Sequence, residues 1–123
     1  MSPIDELLHC IETGTFAQCG ALAADITLDA TVPSWHLTVT GEAGVRAQLA
    51  RWFADPGHFE QIRRHPLPTG ELVEFVLRWQ EDGQLFAASQ AHVLEVRDGR
   101  IVADRMWCGG RWPEALVEQM RAA

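Results

Sequence analysis

Residues 85–108 read LFAASQAHVLEVRDGRIVADRMWC. Two runs rich in apolar and β-branched residues, 85–97 and 100–108, flank Asp98-Gly99. That dipeptide suits a two-residue hairpin turn, whose central residues both take positive φ. Side chains alternate along a strand, so Gln90, His92, Leu94 and Val96 fall on one face of the first run. A tight hairpin would set His92 opposite Arg105 and turn Asp104 to the other face. A bulge in either strand would bring Asp104 round to the face of His92.

Upstream, residues 72–80 predict a further strand ending at Glu81-Asp82-Gly83, which makes the second half of the chain a meander. Residues 58–70 hold His58, His65, Pro66, Pro68 and Gly70 and read as a loop after the turn signal Asp55-Pro56-Gly57. A helix with Val45, Leu49, Trp52 and Phe53 on one face precedes that turn. Before it come a strand over 26–32, an interruption at Pro33 and a short extended piece from Leu37 to Thr40. At the start, Ser2 can cap a helix, Pro3 suits its first turn, and Ile4, Leu7, Leu8 and Ile11 repeat at helical spacing. Thr15 followed by Gln18 resembles a capping box and predicts a second short helix through Ala24. After Gly109-Gly110, Pro113 opens a terminal helix carrying Leu116, Val117 and Met120.

The whole, residues 1–123, has the length of one domain. Hydrophobic residues make up 47%, enough for a core. No apolar run approaches the ~20 residues of a membrane-spanning helix. The run from Met1 to Glu6 lacks the basic and apolar segments of a secretory signal, so a cytoplasmic location is expected. A net charge of −7 with scattered Arg argues against nucleic acid, which demands clustered cations. The five His show no metal-ligand spacing, and no metal or other cofactor is expected. Cys10 and Cys19 read as small buried apolar residues. The chain contains no Lys and no Tyr, which excludes Schiff-base chemistry and a phenolic oxyanion donor.

The segments 22–29 (LAADITLD), 41–46 (GEAGVR) and 93–102 (VLEVRDGRIV) resemble the nuclear-transport-factor-2-like superfamily, above all its SnoaL-like group. The resemblance spans nearly the whole chain. It implies an α+β, cystatin-like cone: a curved mixed or antiparallel sheet wrapped around N-terminal helices, with an internal pocket. Relatives include ketosteroid isomerase, limonene-epoxide hydrolase and polyketide cyclases, so the fold leaves the chemistry open. The positions resembling the two carboxylates and the Arg of limonene-epoxide hydrolase hold Phe75, Met106 and Val73, which speaks against epoxide hydrolysis by that mechanism. The position of the isomerase base resembles Ala30, with Asp29 one step away on the opposite strand face. The isomerase's oxyanion Asp resembles His92, a position where some polyketide cyclases place a pocket His.

His92 is therefore the first candidate acid or base. Asp104 is the candidate carboxylate that would hold its tautomer. Gln90 would be a polar anchor, and Trp35, Trp52, Phe53, Phe59, Phe75 and Met106 would line an apolar cavity. The expected function is binding of a small, largely apolar metabolite, with isomerisation, cyclisation or dehydration by proton transfer as its chemistry. The rival expectation is a non-catalytic ligand-binding or dimeric interaction module. A homodimer is expected because the outer sheet face carries Val76, Val93 and either Met106 or Trp107 among charges.

Overall fold

The computed structural model describes residues 1–123. Helix α1 (Pro3–Thr13) begins as its first residues require: Asp5 N–H donates to the Ser2 hydroxyl, and Ser2 N–H donates back to the Asp5 carboxylate. Ile4, Leu7, Leu8 and Ile11 form its buried face. Gly14, at φ +67°, ends it in the left-handed conformation that only glycine adopts cheaply.

The expected second helix is a single 3-10 turn, Phe16–Gln18. Thr15 caps nothing with its side chain; its hydroxyl pairs with that of Thr13. Phe16 is buried against Phe53. The backbone beyond the turn is claimed by a neighbouring strand, since Ile101 N–H donates to the Ala21 carbonyl. Strand β1 (Leu22–Val32) therefore starts earlier than the sequence pattern implied, and Ile26, Leu28 and Ala30 turn inwards. It pairs with β2 (Trp35–Thr40) across a turn at Pro33-Ser34. Helix α2 (Glu42–Trp52) then buries Val45 and Leu49.

Residues expected to form a loop make strand β3 (Gly57–Leu67), which pairs along its length with β4 (Gly70–Glu81). Most of β3 is exposed on both faces, so no apolar alternation betrays it. As the sheet's edge it bonds to one neighbour only, and an edge tolerates Pro66. Arg64 fastens it, donating two 2.8 Å hydrogen bonds to Glu71 and one of 2.6 Å to Asp5.

Strands β5 (Gln84–Arg97) and β6 (Arg100–Cys108) complete the meander. The two-residue β7 (Trp112–Pro113) pairs with β5 before helix α3 (Glu114–Ala122). The strand order is β2-β1-β6-β5-β4-β3, antiparallel throughout except for the parallel pair β1–β6. The curved sheet backs onto α1 and α2, and its inner face and theirs form one core. This is the α+β cone expected. No helix is long and apolar enough to cross a membrane.

The β5–β6 register decides where the polar residues go. Asp98 and Gly99 have φ of +52° and +75°, and Arg97 faces Arg100 and Val96 faces Ile101, as a tight turn requires. From Glu95, which faces Ala103, the pairing shifts by one residue, leaving Val102 as a bulge. Packing explains the shift. Ile101 and Met106 are both at most 1% exposed, and a strictly alternating strand cannot bury an odd and an even position on the same face. Beyond the bulge His92 faces Met106 and Leu94 faces Asp104, so Asp104 points inwards beside His92.

Candidate functional site

At one end of the cone the inner face opens into a cavity of about 320 Å³. Val32 and Pro33 contribute from the β1–β2 turn, Trp52, Phe53 and Asp55 from the end of α2, and Leu77 and Trp79 from β4. Ala88 and Gln90 contribute from β5, Met106 and Cys108 from β6, and Gly110 and Arg111 from the segment that follows. Most of this wall is apolar, as ligand pockets generally are.

Behind the wall lies a polar chain. His92 and Asp104 are each 1% exposed, and Nδ1 of His92 is 2.8 Å from Oδ1 of Asp104. Nε2 of His92 is 2.9 Å from Oε1 of Gln90. The amide nitrogen of Gln90 donates to Sγ of Cys108 at 3.4 Å, and Gly110 N–H donates to the same sulfur at 3.4 Å. The His92 ring stacks on Phe75 at 5.4 Å between centroids, and Phe75 packs against Phe59 at 4.9 Å.

The partners constrain the protons. An ionised carboxylate and an amide oxygen can only accept. With the Gln90 oxygen turned towards it, Nε2 of His92 donates, while Nδ1 and Asp104 share the hydrogen bond at the other end of the ring. Turning the Gln90 amide over would offer N–H to a neutral Nε2 and present the oxygen to the cavity side. Oδ2 of Asp104 is buried and has no hydrogen-bond partner, so the site keeps one polar atom unsatisfied.

Of the residues singled out from sequence, His92, Asp104 and Gln90 come together, and Gln90, Trp52, Phe53 and Met106 line the cavity. His92 and Asp104 themselves stand behind Gln90 rather than in the wall. Phe75 is buried and stacks on His92, and the half-buried Phe59 packs against Phe75; neither lines the cavity. Trp35 is 70% exposed and outside the cavity, because it follows the turn residue Ser34 (φ +62°) on the outermost strand. Trp79 was missed although it continues the inward alternation of Val73, Phe75 and Leu77. Asp55 and Arg111 follow the ends of α2 and β6, where no periodicity marks them.

Val73, Phe75 and Met106 are all buried in the inner face, so no carboxylate or Arg stands where the hydrolase resemblance would need one. Ala30 is buried, while Asp29 points the other way and meets His36 at 2.7 Å. Burial pushes the Cys19 thiol up to about 12. At the cavity mouth the Trp79 indole N–H, 3.0 Å away, and then Arg111 hold Glu81 below the usual carboxylate range. No three His, Cys, Asp or Glu side chains are grouped so as to hold a metal ion.

The sequence matches no family model and no curated protein. Its architecture does have solved counterparts. An NTF2-like protein from Anabaena variabilis superposes with a TM-score of 0.75 at 16% identity, over 88% of this chain and 84% of that one. The chain has the NTF2-like fold. A protein with a ketosteroid isomerase-like fold from Catenulispora acidiphila, solved with trimethylamine, gives a TM-score of 0.67 at 20% identity over 87% and 85% of the two chains. A Mycobacterium tuberculosis epoxide hydrolase resembling limonene-epoxide hydrolase gives 0.66 at 20% identity over 86% and 79%. On this fold the inner sheet face combines an apolar cavity with one buried His–Asp pair.

Proposed function

We propose that the protein binds a small, largely apolar molecule in the cavity, with Gln90 as the polar anchor. The observation that carries this reading is the apolar wall of a cavity of about 320 Å³ whose interior amide, Gln90, is tied to the buried His92–Asp104 pair. A buried pair of this kind is costly where packing alone is needed. Its link to the cavity through Gln90 gives it a use. The Catenulispora protein of the same fold is seen with a small amine, which supports ligands of modest size.

A second reading, proton transfer, is favoured by the contact between Nε2 of His92 and the oxygen of Gln90, the residue that lines the cavity. A ligand carbonyl that replaced the Gln90 oxygen would accept the Nε2 proton of His92, with Asp104 holding the other ring nitrogen. Isomerisation, aldol-type cyclisation and dehydration all use such an acid.

The test is titration of small apolar ketones and their hydrocarbon analogues, read by the indole signals of Trp52 and Trp79. The wild type should prefer ketones, and Gln90→Leu should reduce that preference by about fivefold to tenfold, the worth of one hydrogen bond. Equal binding of ketone and hydrocarbon by the wild type would overturn the anchor. Turnover of a ketone that His92→Gln abolishes would establish the second reading.

We also propose a homodimer through the outer sheet face. Trp107, at 43% exposed, lies there beside Ala91, with Val93, Leu72 and Val76 near it. Met106 points inwards and takes no part, and Arg78 is covered through its ion pair with Glu114 on α3. The polar pairs His65–Glu74 and His36–Asp29 flank the patch. Sedimentation at micromolar concentration should give a dimer that Val93→Glu dissociates; a monomeric wild type would refute it.

A further inference from the structure

The mouth of the cavity carries a charge pattern that the apolar reading does not use. Asp55 and Arg111 are exposed lining residues, in a wall that also carries Trp52, Phe53 and Trp79. Arg111 is already engaged. Its guanidinium forms an ion pair with Glu81 and lies over the rings of Trp79 and Phe86, 5.9 and 5.2 Å from their centroids. Trp79 and Phe86 are themselves stacked, and Glu81 accepts the Trp79 indole N–H, which fixes the ring plane. Asp55, by contrast, is exposed and forms no ion pair. With Arg111 paired to Glu81, Asp55 is the one carboxylate in the cavity lining and has no ion pair, in a wall that also carries Trp52 and Trp79.

Aromatic faces attract cations through the ring quadrupole, and tryptophan does so best. Arg111 shows this at work within the molecule, since a cation already lies over Trp79. A carboxylate next to such rings adds a Coulombic attraction that a neutral ligand cannot exploit. The same group repels an anionic ligand, and the net charge of −7 reinforces that bias. Resting on the cavity as a ligand site, we infer that its ligand class is an apolar amine: a hydrocarbon body that fills the interior and a cationic ammonium group held at the mouth by Asp55, Trp52 and Trp79.

Choline and 3,3-dimethylbutan-1-ol form a matched pair of probes, because they share shape and hydroxyl and differ in the charge on the branched centre. Each is titrated against wild type and Asp55→Asn at low salt, with the indole N–H signals of Trp52 and Trp79 followed by NMR. Choline should bind about tenfold more tightly than the alcohol. Asp55→Asn should cut that preference at least threefold and leave the alcohol's affinity unchanged. Asp55 is exposed, so this variant retains the fold; Trp79→Leu is a second variant expected to lower choline affinity more than alcohol affinity. If the alcohol binds as tightly as choline, or Asp55→Asn keeps the full preference, the cationic class is overturned while the cavity remains a ligand site. If neither probe moves either indole signal, the inference and the cavity reading both fail for ligands of this size.

Discussion

The molecule contains two His–Asp pairs of nearly identical length, one through Nδ1 of its His and the other through Nε2. His92 and Asp104 meet at 2.8 Å with side chains 2% and 1% exposed, whereas His36 and Asp29 meet at 2.7 Å with side chains 56% and 40% exposed. Distance does not distinguish them; surroundings do. Water and mobile ions screen the outer pair, whose attraction little exceeds the entropy of holding two side chains together. The inner pair is shielded from solvent, so each member depends on the other. The outer pair spans β1 and β2, and its loss would trouble nothing beneath it. The inner pair spans β5 and β6 and orients Gln90, so its loss would reach the cavity. Equal contacts in a list of distances thus carry unequal consequences.

The largest expected effect lies in the inner pair. Asp104→Ala should cost about 3–5 kcal/mol in urea unfolding, because it leaves His92 buried without its acceptor. Replacing both members, His92→Leu with Asp104→Leu, should recover most of that loss, since apolar residues often substitute for a buried pair without cost. The double variant should nevertheless lose the preference for ketones, because Gln90 then has nothing behind it. Full stability in Asp104→Ala would collapse the contrast between the two pairs.

Asp29→Ala probes the other side of the comparison. Its effect should stay below about 1 kcal/mol and vanish in high salt. A loss matching that of Asp104→Ala would show that burial is not what separates the pairs.

The smallest expected effect concerns a third ion pair, also at the surface. Hydrogen bonds from Arg64 and then from Ser2 hold the Asp5 carboxyl at about 2, against an ordinary value of 3.8. A depressed carboxylate stabilises the fold above its unfolded value and ceases to do so as pH falls through the folded one. The contribution should therefore be present above about pH 4 and disappear towards pH 2. Because both side chains are partly exposed, it should not exceed about 1 kcal/mol. Arg64→Ala should reduce this acid-dependent part in denaturation curves between those pH values, leaving the share that Ser2 supplies. A variant with the wild-type pH profile would mean that the pair contributes nothing in solution.

Much of the architecture was legible because local chemistry carries it. The Ser2 cap, the spacing of Ile4, Leu7, Leu8 and Ile11, and the Asp98-Gly99 turn act between residues close in the chain. So does the alternation that aligned Gln90 with His92. Where the reading failed, a distant partner had decided the matter. Strand β3 has no buried face of its own, and only the free edge of β4 makes Gly57–Leu67 extended. Residues after Thr15 had a helical start signal, yet β6 took their backbone hydrogen bonds.

The candidate site divides in the same way. The residue types and the parity of Gln90, His92, Leu94 and Val96 were determined by the sequence alone, because alternation is a property of the strand itself. Whether Asp104 would join them was not. A regular continuation of the hairpin would have sent Asp104 outwards and brought Arg105 in. Only the tertiary structure, by requiring Ile101 and Met106 in the same core, placed the bulge at Val102 and closed the 2.8 Å contact. The physical reason is that a turn is specified by the few residues in it, whereas a register is specified by everything the two strands pack against.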